Sequence, residues 1–82
     1  TEGMHMDMGA MSVSDDESLP YDQRFLEAMI SHHQGAIDMA QAALTNAENV
    51  ELVTLAREII EVQQVEIDQM RAWLSDWFGI GE

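Results

Sequence analysis

Between Pro20 and Phe78 the chain contains no further Pro and a single Gly, at position 35. A stretch of that length without breakers, rich in Ala, Leu, Ile, Glu and Gln, is predicted to be helical throughout. Its one weak point is Thr45 to Asn49, with two Asn and little apolar content, which divides it into helices at about 21–46 and 50–78. Pro20 or Asp22 suits the start of the first helix. Asn49 can cap the second, with Glu51 in its positive first turn, and Gly79 and Gly81 end it. A connection of about five residues makes the two helices antiparallel neighbours. The predicted fold class is therefore all-α, an antiparallel helical hairpin over residues 20–82. Residues 1–19, with two Gly, three Ser and no apolar periodicity, read as a flexible acidic arm carrying Met and His.

Placing residues at 100° intervals shows what each helix face offers. Glu27, Ser31, Gln34, Asp38, Gln41 and Thr45 gather in one narrow arc, the plainly solvated face of the first helix. Phe25, Met29, Ala36, Met39 and Ala43 form one apolar stripe, and Leu26, Ile30, Ile37, Ala40 and Leu44 form a second beside it. A third line, Ala28, Gly35 and Ala42, is made of small residues that allow close approach of another helix. One partner helix cannot cover three stripes, and a hairpin of about 60 residues buries little surface. A homo-oligomer is expected, most simply a dimer of hairpins completing a four-helix bundle.

On the second helix Leu52, Leu55, Ala56, Ile59, Ile60, Ile67, Met70, Trp73, Leu74, Trp77 and Phe78 share one half of the surface. Two polar residues, Gln63 and Glu66, interrupt it near its middle, as His32 and His33 interrupt the apolar arc of the first helix. Counting outward from a turn near residues 47 and 48 puts His33 level with about residue 62, so the four polar residues are expected to meet in one buried layer. A buried carboxylate requires a positive partner or a proton. The chain has no Lys, and Arg24, Arg57 and Arg71 fall outside the centre of the core. That leaves a protonated His or a metal ion for Glu66. Met29, Met39 and Met70 flank the layer, and thioether with imidazole suits Cu(I) or Ag(I), whereas a carboxylate-rich box suits iron or manganese. A His/Gln/Glu network can equally fix helix register and oligomer state with no ligand, and Met is an ordinary core filler.

The arm supplies a second, independent donor group. Met4, His5, Met6 and Met8, with Met11 beyond, place four thioethers and an imidazole on one short segment able to wrap a soft ion. Asp15, Asp16 and Glu17 read as a solvated acidic run.

Composition mainly excludes. Sixteen Asp and Glu against three Arg give a formal charge of −13, which argues against nucleic acid and against an anionic membrane surface. With no Cys there is no disulfide, thiolate zinc site or cysteine nucleophile. No run of 18 apolar residues occurs, so no membrane insertion is expected, and no secretory leader pattern is read. Thr1 in place of an initiating Met leads us to expect a processed or trimmed N-terminus. Catalysis is not expected: there is no Glu-x-x-His for di-iron chemistry, and no Ser or Thr lies inward near the histidines as a nucleophile.

FLEAMISHHQGAIDMA at Phe25 to Ala40, followed by LAREIIEVQQVEIDQMRAWL at Leu55 to Leu74, resembles the bacterial CopM-like family of the domain of unknown function DUF305. The resemblance spans about Tyr21 to Phe78. It implies a ferritin-like helical bundle in secreted or periplasmic proteins, some of which bind copper or silver through Met and His and help resist them. Carried over, the family's His pair falls on His32 and His33, its Met positions on Met29, Met39 and Met70, and its Gln and Glu on Gln63 and Glu66. Copper-binding relatives can contain two such hairpins where this chain has one, which favours dimerisation. Two functions follow as expectations: an extracytoplasmic Cu(I)/Ag(I)-binding protein, or a non-metal interaction module whose polar layer specifies assembly.

Overall fold

A computed structural model describes residues 12–81. Two helices, α1 (Tyr21–Asn46) and α2 (Val50–Phe78), pack against each other as an all-α hairpin. Their bounds match the sequence expectation, and the caps explain why. Asn49 Oδ1 accepts from the backbone N–H of Glu51 at 2.8 Å and of Leu52 at 3.3 Å, satisfying two donors that α2 leaves free at its start. At the other end Gly79 turns left-handed (φ 68°), with its N–H on Ser75 O and that of Ile80 on Leu74 O. The Gly79–Ser75 bond is the 5→1 bond of an αL C-cap, a conformation that Gly adopts without a Cβ penalty. Pro20 occupies the position just before α1, with no side-chain cap, and Asp22 lies in the first turn.

Ala47–Asn49 alone lie outside both helices in the connection. Thr45 and Asn46 stay helical, with the Ala47 N–H closing the last turn on Ala43 O (2.9 Å), and Thr45 Oγ1 (3.1 Å) and Asn46 Nδ2 (2.8 Å) both donate to Ala42 O.

Of the three apolar stripes of α1, one is fully used. Leu26, Ile37 and Ala40 are buried, with Ile30 and Leu44 half-buried beside them. Opposite them lie Ala56, Ile67, Met70 and Leu74, of which Ile67 has no exposed surface. Phe25 and Met39 of the neighbouring stripe remain 38% and 49% exposed, because a single partner helix reaches only one side of α1. The arc Glu27 to Thr45 is exposed at every predicted position.

Residues 14–19 are tied to α1 rather than free of it. Arg24 donates to Ser14 O (2.8 Å) and Leu19 O (3.2 Å) and stacks over Tyr21. Asp16 closes a turn by accepting from the Ser18 hydroxyl and N–H, and these bonds hold its carboxyl below the usual value. Asp15, Asp16 and Glu17 are exposed, as expected. Met4, His5, Met6, Met8 and Met11 lie outside the described residues.

Candidate metal centre

His33 sits four residues after Met29 on α1, one helical turn along the same face. It is 8% exposed, the one buried polar residue among those described. Its Nε2 lies 2.6 Å from Glu66 Oε1 of α2. The pairing corrects two expectations. Glu66 is not a buried carboxylate seeking a partner: its side chain is 52% exposed, and the buried member of the pair is the imidazole. His33 also meets residue 66 rather than 62. Cα–Cβ bonds tilt toward the N-terminus of their own helix, so in an antiparallel pair the two side chains lean toward each other from levels about a turn apart. Counting along the backbone ignores that lean.

The other ring nitrogen, Nδ1, is buried and has no hydrogen-bond partner among the described residues. Leaving such a group unsatisfied costs about 1–3 kcal/mol.

Met29, His33, Glu66, Gln69, Met70 and Trp73 line one cavity of about 230 Å³. Met70 is buried and packs with Leu26 and Leu74, with Met29 against the same cluster. Trp73 stacks on Trp77, ring centroids 5.4 Å apart and nearly parallel, which fixes the indole as a wall of the cavity. Four of the predicted site residues, Met29, His33, Glu66 and Met70, are thus brought together. The remaining three helix residues are not. His32 is half-buried with its ring 6.2 Å from that of His33, and does not line the cavity. Gln63 is half-buried and also outside it. Met39 lines a different groove, of about 330 Å³, with Ala36, Ala43, Leu52, Leu55 and Ile59. The expected single layer of His32, His33, Gln63 and Glu66 therefore reduces to the His33–Glu66 pair.

Gln69 and Trp73 join the site without having been singled out for it. Their spacing was a usable signal, since Gln69 lies three and Trp73 seven residues beyond Glu66 on α2.

The donors suit a soft monovalent cation. Two thioethers and an imidazole in one cavity match the preference of Cu(I) for sulfur and nitrogen. No three His, Asp, Glu or Cys side chains converge among the described residues, so the carboxylate box characteristic of iron or manganese is not assembled there.

Fold and cavity together define a helical hairpin with a methionine- and histidine-lined pocket. The chain belongs to the family described as Domain of unknown function (DUF305), whose sequence model matches residues 1–79. It is also similar to a solved structure described as "CopM in the Cu(I)-bound form", with 51% identity and a TM-score of 0.70 over 74% of this chain. This chain spans 44% of the length of that one. No curated protein matches the sequence.

Proposed function

We propose that this chain binds Cu(I), or Ag(I) by the same chemistry, through the thioethers of Met29 and Met70 and the imidazole of His33, as a non-catalytic carrier outside the cytoplasm. The observation that carries this reading is the convergence of those three donors on one cavity between the helices. Similarity to a protein solved with Cu(I) bound supports the choice of ion. The acidic surface, at −13 overall, favours any cation over any anion in the surrounding solution. Met4, His5, Met6 and Met8 provide a second soft donor set that can capture the ion before the cavity holds it.

We also propose that the hairpin works as a homodimer. Tyr21, Phe25, Met39, Leu52, Leu55, Trp73 and Trp77 are all more than a third exposed, a large apolar surface for so small a chain. Light scattering across a concentration series tests this, and a monomer at every concentration refutes it.

An anaerobic Cu(I) titration against a competing chelator tests the main reading. Wild type is expected to hold Cu(I) with a Kd well below micromolar. If wild type, a deletion of residues 1–11 and His33→Ala all bind no better than about micromolar, the proposal fails.

A further inference from the structure

Glu66 reaches the cavity from its exposed rim and touches the buried imidazole at one nitrogen only. A carboxylate accepts hydrogen bonds and cannot donate them, so the proton of this bond sits on Nε2. In a neutral imidazole the remaining nitrogen then carries the lone pair. That nitrogen, Nδ1, is the buried atom with no partner among the described residues, on a side chain nine-tenths buried and lining the same cavity as two thioethers.

We infer that Glu66 is a positioning residue: by holding the proton on Nε2 it presents His33 Nδ1 as the nitrogen donor to a soft monovalent ion. This rests on the function proposed above and adds which atom binds and what prepares it. The carboxylate serves the ion through the imidazole, fixing its tautomer and ring orientation. Met29 and Met70 supply the sulfur donors, so Glu66 has no need to leave His33 when the ion arrives.

The test uses the full chain with its histidines labelled with nitrogen-15, and Ag(I) as the probe, because silver nuclei couple to a bound nitrogen. In the free protein His33 is expected as the Nε2–H tautomer. Glu66→Ala should mix the tautomers, while Glu66→Gln, which retains an accepting oxygen, should keep most of the Nε2–H form. With Ag(I) added, silver coupling is expected at Nδ1. Silver affinity should fall about 10- to 100-fold in Glu66→Ala and be partly restored in Glu66→Gln. The Glu66 side chain is half exposed, so both variants should keep the wild-type helical signal, checked by circular dichroism. Silver coupling at Nε2, or an Nδ1–H tautomer in the free chain, overturns this assignment while leaving metal binding intact. An Nε2–H tautomer that depends on Glu66, with no silver on His33, makes the pair purely structural and overturns both readings.

Discussion

Two of the open cavities along this pair of helices differ in chemistry far more than in shape. Toward the turn, Ala36, Met39, Ala43, Leu52, Leu55 and Ile59 line a groove with one thioether and no nitrogen donor. Toward the open end, two thioethers, an imidazole and a carboxylate meet across the helices, walled by Trp73. The same backbone pairing builds both, so their difference in donor chemistry comes from which side chains project at each level. The groove near the turn offers dispersion contacts and apolar area, the currency of helix association.

The most disruptive change removes what both regions share. Ile67 is fully buried in the seam between the helices, and Ile67→Ala should cost about 2–5 kcal/mol. Chemical denaturation should show the loss, and because the helices themselves separate, both cavities should vanish with it. A change of less than about 1 kcal/mol would mean that the seam is not what holds the hairpin.

A sharper separation comes from the methionines. Met29→Leu with Met70→Leu should weaken Cu(I) binding on the order of 100-fold, about 2.7 kcal/mol, since a hydrocarbon of similar volume replaces each sulfur. Met39→Leu should leave affinity within about threefold, because Met39 belongs to the other groove. Equal losses in the two variants would erase the distinction between the regions.

Smaller effects probe the ends. Asn49→Ala removes the side-chain cap of α2 and should lower stability by about 1 kcal/mol, read as a shifted denaturation midpoint with Cu(I) affinity unchanged. The smallest effect concerns the segment before α1. The Asp16 carboxyl is held below its usual 3.8 by bonds from Ser18, so its contribution is present above that value and is lost as pH falls through the lower folded-state pKa. Carboxyl NMR of Asp16 across that acidic range should follow the turn opening, whereas α1 and α2 should show no change linked to it.

Much of this molecule was legible residue by residue. Asn49 announced its cap and Gly79 its helix end, because capping depends on groups within a few residues. Periodicity likewise marked the solvated arc of α1 and the three stripes that one partner could not cover. The site was legible only in its composition. His32 and His33 are adjacent and straddle the centre of the arc, and the rotation of α1 against α2 buried one and left the other half-exposed. Met29, Met39 and Met70 were equivalent candidates until packing sent Met39 to a separate groove.

The sequence by itself determined two helices, their caps and a supply of soft donors, since propensity, capping and the 3.6-residue period are local properties of the chain. The tertiary structure alone decided that His33 binds Glu66, that Glu66 stands at the rim, and that Met29 and Met70 share a cavity with them. Those outcomes depend on the offset and rotation between helices and on the lean of side chains toward their own N-termini. Contacts between residues more than thirty positions apart are set by how the whole seam packs.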